Sequence, residues 1–131
     1  MMEHVIKTTK QNQMIDITKI VKKAVKESGI MKGIVTAFVP HTTAGVTINE
    51  NADPDVVHDI LIGLEKVFPN RSEYRHMEGN SDAHIKASVI GSSCTVIIEN
   101  GALKLGTWQG VYFCEFDGPR TRKLYVKVTE G

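Results

Sequence analysis

The sequence predicts one α+β domain over residues 1–131, a largely antiparallel β-sheet with two to three helices packed on it. Apolar side chains recur at helical spacing in two segments, residues 20–25 and 56–64. The last third, from residue 94, consists of short β-like runs separated by turns. A chain of 131 residues that is 41% hydrophobic and 24% charged is long enough to bury one core without disulfides.

The first third is predicted to contain a strand, a helix and a second strand. "HVIKTT" is the first strand, and "KQNQ" is the turn after it. Asp16 or Thr18 is the expected N-cap of the helix, and Gly29 is its expected left-handed C-cap. "GIVTAFVP" is apolar at alternating positions on both faces, which predicts a central strand covered on two sides.

The middle of the chain is predicted to hold one strand, two helices and a long loop. After the strand "GVTIN", Asp53 and Pro54 are expected to cap and begin a helix whose buried stripe is Val56, Val57, Ile60, Leu61 and Leu64. Residues 70–82 are polar and aperiodic, which favours a functional loop. Asp82 is expected to cap a short helix that ends at Gly91.

The C-terminal third is predicted to form an antiparallel meander. Asn100-Gly101 is a strong hairpin signal, and "GTWQG" and "DGPR" mark two further turns. In the last strand, "RKLYVKV", the residues Leu124, Val126 and Val128 share one face. "VYFCEF" is apolar on both faces and "TVIIE" nearly so, which suggests packing against another subunit.

Composition excludes several classes of function. The net charge of +1 and the missing basic and aromatic arrangements argue against a nucleic-acid module. No apolar run approaches membrane-span length and the first residues lack a signal-peptide core, so we expect a cytoplasmic protein. Cys94 and Cys114 are expected to be buried free thiols rather than a disulfide or a metal pair. Walker loops, GxSxG elbows, dinucleotide fingerprints and HExxH are all absent.

Three histidines at element edges are the main candidate site. His41 follows a strand, His76 lies in the polar loop and His84 lies in the first turn of the short helix. Imidazoles bind zinc well, and three protein ligands leave a fourth position for water or substrate. Ordinary roles remain open for each of these residues, as a turn residue at His41 and as a helix-cap partner at His84.

Arg120 and Arg122 form the second candidate, because guanidinium groups at alternating positions make a fork suited to phosphate or carboxylate. A cross-strand ion pair with Glu115 or Asp117 is the open alternative. Gln109 lies in a glycine-bracketed turn, and a purely local turn role is equally open there.

Three stretches in order along the chain, "HTTAGVTINENADPDV", "HMEGNSDAHIKASVIG" and "GALKLGTWQGVYFCEFDGPRTRK", resemble the YjbQ-like family of small uncharacterised proteins. The resemblance covers nearly the whole chain. It implies a homotrimer with a pocket near subunit boundaries and a secondary thiamine phosphate synthase activity. It further implies a divalent metal held by His41, His76 and His84, with zinc favoured and magnesium as the alternative. The acidic and amide positions that it implies are Asn49, Glu50, Asp53, Asn80 and Asp82, and its basic position is Arg120.

The expected function is therefore a metal-binding small-molecule enzyme whose physiological substrate is unknown. Asp53 or Glu50 is expected as general base or orienting partner, and Arg120 is expected on an anionic group or a leaving diphosphate. The expected substrate-binding residues are Thr42, Thr43, Asn49, Asn80 and Gln109. The alternatives are a trimer that binds a metal or an anionic metabolite without turnover, and a metal-assisted hydrolase.

Overall fold

Eight strands and three helices make up the computed structural model, which describes residues 1–131. In chain order they are β1 (Met2–Lys7), β2 (Gln13–Asp16), α1 (Thr18–Ser28), β3 (Lys32–Phe38), β4 (Ala44–Glu50), α2 (Pro54–Val67), α3 (Ser81–Ile90), β5 (Ser93–Glu99), β6 (Ala102–Leu103), β7 (Gln109–Glu115) and β8 (Thr121–Glu130). The predicted α+β class is confirmed. None of the three helices combines the length and the apolar character that crossing a membrane requires.

The strands form two antiparallel sheets with a shared hydrophobic core. The large sheet has the order β1-β8-β3-β5-β6 and the small sheet has the order β2-β7-β4. Inward-facing residues of both sheets, such as Val35 and Leu124 from one and Val46 and Phe113 from the other, belong to a single buried cluster. The buried face of α1 closes the same cluster through Val21, Ala24 and Val25. The core therefore lies between the sheets and under α1.

Strand β7 is buried on both faces by its own chain. Phe113 faces the core between the sheets. Tyr112, Cys114 and Phe116 face the other way, into a second cluster with Ala83 and Ala87 of α3. The apolar character of "VYFCEF" thus needs no second subunit, which corrects the interpretation of this strand.

The outer face of the large sheet is uncovered in the single chain. Strand β3 is central in that sheet, as predicted, but its side chains alternate between buried and exposed. Ile34 and Phe38 are 40% and 42% exposed, and on the same sheet Val5 of β1 and Ile97 of β5 are 59% and 61% exposed. Within one chain β3 is covered on one side only, contrary to the prediction.

Helix α1 starts and ends close to the predicted residues. Ile17 is the N-cap and makes no side-chain hydrogen bond. Asp16 instead accepts from the Thr18 backbone N–H at 2.9 Å and from the Thr18 hydroxyl at 2.5 Å, so its carboxylate supports the first turn from one residue upstream. Gly29 ends the helix at φ 70°, which confirms the predicted left-handed C-cap.

Helix α2 begins as predicted and packs less deeply than predicted. Asp53 accepts from the Asp55 backbone N–H at 2.9 Å, with Pro54 in the first turn. The five predicted stripe residues are half-buried and the helix has no fully buried residue. Val57 and Leu64 contact the second cluster. Because α2 lies over α3 and the small sheet at the edge of the molecule, its apolar stripe keeps partial solvent contact.

Helix α3 begins at Ser81 with Asn80 as N-cap, so the prediction that Asp82 caps this helix is wrong. Asp82 lies inside the first turn, with its carboxylate 3.8 Å from the ammonium group of the buried Lys86. Lys86 also donates a hydrogen bond to Glu65 of α2. Gly91 terminates the helix as predicted.

The hairpin and the thiols follow the predictions. Asn100 and Gly101 both have positive φ, 53° and 73°, which is the backbone of a type I′ turn between β5 and β6. Cys94 and Cys114 are free. Burial raises the pKa of the Cys94 thiol to about 11 and that of Cys114 to about 12, so both are protonated near neutral pH.

A buried ion pair joins the two sheets at one end. Arg122 of β8 is 5% exposed and Glu115 of β7 is 0% exposed. Arg122 donates to both carboxylate oxygens, through Nε to Oε1 at 2.8 Å and through Nη2 to Oε2. The Thr8 hydroxyl donates to Oε1 at 2.8 Å, and the backbone N–H groups of Phe116 and Asp117 donate to Oε2 at 3.1 and 3.0 Å. Both oxygen atoms of this carboxylate therefore accept at least two hydrogen bonds.

Hydrogen bonding keeps Glu115 ionised inside the protein. Burial by itself raises the pKa of this carboxyl, but the hydrogen bonds from Arg122, the Asp117 backbone and Thr8 outweigh burial and hold the pKa below its ordinary value. Backbone passes very close to the pair: a Cβ at Gly118 would lie 2.8 Å from the Thr8 hydroxyl and 2.3 Å from the Lys10 carbonyl oxygen. Glycine is therefore required beside the network.

Glu115→Gln is expected to lower the free energy of unfolding by about 3 kcal/mol, because it leaves the buried Arg122 guanidinium without its counter-ion. The matched control is Glu99→Gln, which breaks a pair with Lys104 whose side chains are 53% and 68% exposed and is expected to change stability by less than about 1 kcal/mol. Urea unfolding of both variants measures the difference. Equal losses would contradict the central role of the buried pair.

Candidate functional site

A polar cavity of about 630 Å³ opens at the end of the sandwich beside the ion pair. Fourteen residues line it, of which two are apolar. The segment from β3 to β4, the loop before α3, α3 itself and the segment before β8 all contribute to its walls. The cavity brings together seven predicted site residues, namely His41, Thr42, Thr43, His76, Asn80, His84 and Arg120.

His76 and His84 contact one another across the cavity wall. Their ring centroids are 5.3 Å apart, and the rings meet edge to face at 85°. The His76 Nε2 atom lies 3.9 Å from a carboxylate oxygen of Glu78, whose side chain is 70% exposed. These two imidazoles are therefore close neighbours, as the prediction of one shared site requires.

His41 is held differently. Its Nε2 atom accepts a hydrogen bond from the Lys123 backbone N–H at 2.8 Å. That lone pair is engaged by β8, so Nε2 is not available to a metal in this arrangement. Nowhere in residues 1–131 are three or more His, Cys, Asp or Glu side chains grouped so that they could hold a metal ion. The predicted three-histidine ligand set is not formed, and zinc or magnesium stays a prediction.

The surroundings of His41 favour the neutral imidazole. Burial lowers the pKa of His41 below its ordinary value, and the positive charge of Arg122 lowers it further. The carboxylate of Glu115 acts in the opposite direction but does not reverse the shift, and the hydrogen bond that Nε2 accepts from Lys123 requires the unprotonated nitrogen. His41 is therefore uncharged at neutral pH.

Arg122 lies beneath the cavity with one part of its guanidinium free. Its Nη2 atom donates to the Thr43 hydroxyl at 2.8 Å as well as to Glu115. Its Nη1 atom makes no hydrogen bond within the protein. Nη1 is also not among the fully buried polar atoms, so it keeps some contact with solvent. Because Arg122 lines the cavity, we conclude that Nη1 is reached from there.

Arg120 is the more exposed of the two arginines. It donates through Nη2 to Asp117 Oδ2 at 2.9 Å and through Nε to the Asp117 carbonyl oxygen at 2.7 Å. The predicted partners Glu115 and Asp117 are thus confirmed, but neither pair joins neighbouring strands: Arg122 pairs with Glu115 between the two sheets, and Arg120 pairs with Asp117 within the turn. Both still line the cavity, so ion pairing and a role in the cavity are compatible.

Asn80 links the cavity to the start of α3. Its amide nitrogen donates to Asp117 Oδ2 at 2.8 Å, and its amide oxygen is buried without a partner. The side chain does not cap the helix although Asn80 is the N-cap residue. The positive end of the α3 dipole thus lies at the cavity wall, where it favours negative charge.

Sequence reasoning missed several lining residues, or considered them only for another role. Ser92 was not predicted, Glu78 was considered only as a carboxylate near the histidines, and Asp117 and Arg122 were considered only as an ion-pair partner and as part of the fork. Each stands within two residues of a predicted site residue or of a turn, so position at the end of an element was the signal that was available.

Four predicted site residues lie elsewhere. Asn49 accepts from the Glu50 backbone N–H at 2.7 Å, and the Glu50 carbonyl accepts from the Tyr112 hydroxyl at 3.1 Å. Asp53 caps α2. Gln109 accepts from the Gly106 backbone N–H at 2.8 Å within its own turn, which is the local role left open above. None of the four lines the cavity, and this corrects the expectation that they share one site with the histidines.

The separation follows from the length of β4. His41 to Thr43 precede this strand, and Asn49 to Asp53 end and follow it. Seven residues at about 3.3 Å per residue set the two groups roughly 20 Å apart. A stretch that is continuous in sequence therefore contributes to opposite ends of the small sheet.

The chain matches a known protein family and its relatives. The profile of the family described as "UPF0047 protein YjbQ-like" matches residues 2–131. UPF0047 protein YugU of Bacillus subtilis is 59% identical over 124 residues, which cover 94% of each chain. UPF0047 protein MJ1081 of Methanocaldococcus jannaschii is 54% identical, covering 94% of this chain and 89% of the relative.

Solved structures have the same fold. An uncharacterised YjbQ/UPF0047 protein of Clostridium acetobutylicum superposes with a TM-score of 0.97 at 64% identity, covering 98% of this chain and 100% of that chain. A protein of unknown function from Sulfolobus solfataricus superposes with a TM-score of 0.94 at 31% identity, covering 98% and 95%. The arrangement of two sheets and three helices is thus shared across distant sequences.

Acidification is expected to destabilise the fold in two steps. In the folded protein the pKa of His41 is below its ordinary 6.5 and that of Glu115 is below its ordinary 4.5. As the pH falls, each group therefore binds a proton in the unfolded chain before it does so in the folded protein, and protonation favours unfolding. The stability from His41 is present above pH 6.5 and is lost as the pH falls below that value; the contribution of Glu115 is lost below pH 4.5.

Urea unfolding between about pH 7.5 and 4 measures this dependence. His41→Gln is expected to flatten the upper step, whereas the control His58→Gln, at a site where the side chain is 67% exposed, is expected to leave it. Stability that rises on acidification through the upper window would contradict the shift assigned to His41.

Proposed function

This chain belongs to the family described as UPF0047 protein YjbQ-like, and on that premise we propose that its cavity binds a small metabolite through a phosphate or carboxylate group. The anion lies against Arg122, between the histidines and Arg120.

The observation that carries this proposal is the free Nη1 group of Arg122. Arg122 is 5% exposed, and Glu115 and Thr43 fix one edge of its guanidinium group. The Nη1 donors on the other edge are unpaired and lie where the cavity begins. Hydrogen bonds from an ionised donor to an anion are short and strong, and a donor that is already fixed loses little entropy on binding. The ion pair with Glu115 thus holds the Arg122 guanidinium in the orientation that anion binding requires.

Several other wall groups are donors that suit an anion. The hydroxyl groups of Thr42 and Ser92 and the guanidinium of Arg120 are donors. Asp117 Oδ2 already accepts from both Asn80 and Arg120. The cavity volume of about 630 Å³ is within the range of small-molecule sites, and its polar lining suits a polar ligand.

Catalysis is the second part of the proposal. The synthase activity implied by the resemblance joins a pyrimidine diphosphate to a thiazole phosphate, and the same position would receive its diphosphate. Because Asp53 and Glu50 lie outside the cavity, neither is the base in this proposal. If a metal binds, His76 and His84 are the imidazoles free to hold it, and it would supply the Lewis acid of a hydrolase or transferase. Metal and turnover stay predictions.

Phosphate titration monitored by calorimetry tests the proposal. Arg120→Gln is expected to weaken binding of inorganic phosphate about tenfold, the loss expected for one charge-assisted hydrogen bond. Arg120 is half exposed, so the variant keeps the fold. The matched control is Arg71→Gln in the exposed loop before α3, which is expected to leave phosphate affinity unchanged. Equal effects of the two substitutions, or no binding by the wild-type protein, would overturn the proposal.

We propose in addition that the uncovered face of the large sheet, formed by Val5, Ile34, Phe38 and Ile97, packs against other copies of the chain in a homotrimer. Their exposed fractions are high for apolar strand residues, and Phe38 stacks on Tyr125 with ring centroids 6.4 Å apart. Phe38 also lines the cavity. Assembly through this face would therefore bring a neighbouring copy to the rim of the site.

Ile97→Lys is expected to convert the assembly into monomers, because a lysine there must lose its hydration on association. The matched control is Val67→Lys at the end of α2, where the wild-type side chain is 62% exposed compared with 61% for Ile97. Sedimentation velocity at micromolar concentration measures the outcome. A wild-type monomer, or a trimer that persists with Ile97→Lys, would contradict this interface.

A further inference from the structure

The hydrogen bond between His41 and β8 determines which ring nitrogen carries the proton. A neutral imidazole has one N–H donor and one acceptor nitrogen. Nε2 accepts from the Lys123 backbone N–H at 2.8 Å, so Nε2 is the acceptor and the proton resides on Nδ1. Turning the ring over would place a carbon opposite Lys123 and leave that N–H without its partner.

The Nδ1–H group is free. His41 makes no hydrogen bond through Nδ1. This atom is not among the fully buried polar atoms, so it keeps some contact with solvent. The residue lines the main cavity and also an adjoining hollow of about 360 Å³ that it shares with Thr42, His84 and Ser92. The donor is therefore accessible from the space in which the anion is proposed to bind.

We infer that His41 serves the cavity as a neutral hydrogen-bond donor fixed in the Nδ1–H tautomer, which binds an oxyanion jointly with Arg122 and does not ligate a metal. This inference rests on the proposed anion binding and assigns His41 a role within it. Metal binding through Nδ1 would require loss of the only ring proton, and metal binding through Nε2 would require loss of the bond to β8. The lowered pKa of His41 agrees with the uncharged form.

The two donors differ in what they supply. Arg122 supplies a permanent positive charge, and His41 supplies a directed hydrogen bond that transfers no proton to the ligand. Such a pair suits an oxyanion that must stay ionised, a phosphate monoester or a carboxylate. Donors that are fixed before the ligand arrives need no reorganisation when it binds.

Nitrogen NMR on uniformly 15N-labelled full-length protein reads the tautomer directly. At pH 7 we expect unprotonated Nε2 and protonated Nδ1 for His41, both in the free protein and with inorganic phosphate, with the Nδ1 signal shifting on phosphate addition. Zn²⁺ added alone as a probe is expected to leave the His41 nitrogens unshifted. A protonated Nε2, an imidazolium, or a zinc-dependent shift at His41 overturns the inference.

Two substitutions separate donation from support of β8. His41→Asn places an amide donor near the position of Nδ1 and loses the acceptor for Lys123, whereas His41→Leu loses both. We expect phosphate affinity to fall less than about threefold for His41→Asn and about tenfold for His41→Leu, with similar loss of thermal stability in both. Equal phosphate affinity in the two variants overturns the inference in favour of a merely structural role.

The outcomes distinguish this inference from the proposal beneath it. Phosphate that binds the wild-type protein and is weakened by Arg120→Gln, with no response at His41, refutes the role of His41 and leaves anion binding standing. Absence of phosphate binding by the wild-type protein refutes both.

Discussion

The buried pair of Arg122 and Glu115 is the interaction on which the rest of this molecule depends. It joins β8 of the large sheet to β7, the central strand of the small sheet, at the end where the cavity opens. Removing two charges from water costs more than their attraction returns unless their hydrogen-bonding groups are satisfied. Here Thr8, Thr43 and the backbone after Glu115 provide those bonds.

The same network determines the chemistry of the cavity. One edge of the Arg122 guanidinium is occupied by Glu115 and Thr43, and Nη1 makes no hydrogen bond within the protein, which leaves it for the proposed anion. The Arg122 charge also contributes to lowering the pKa of His41, whose acceptor nitrogen is bound to the strand that carries Arg122. In the proposed anion site, structural support and ligand recognition would both depend on this arrangement, because Glu115 holds Arg122 in place and Arg122 acts on His41.

Much of the local chemistry was predictable from the sequence, and long-range pairing was not. Two helix caps were exceptions, since Asp82 does not cap α3 and Ile17, instead of Asp16 or Thr18, is the N-cap of α1. Caps and turns such as Asp53, Gly29 and Asn100-Gly101 depend on neighbouring residues, and the sequence predicted them correctly. The division into two sheets depends on which strands pair, as when β3 lies between β5 and β8. The three histidines expected at element ends line one cavity, but their predicted role as a shared ligand set stays a prediction. The engagement of His41 by Lys123, 82 residues away, and the splitting of one motif across β4 required the fold itself.

A crystal structure of the protein soaked in sodium tungstate tests the central claim most directly, since anomalous scattering from tungsten locates a tetrahedral oxyanion without ambiguity. The account predicts a tungstate oxygen within hydrogen-bonding distance of Arg122 Nη1 and a second oxygen facing His41 Nδ1. Tungstate found only at the exposed lysines of α1, with the cavity filled by solvent, would contradict it.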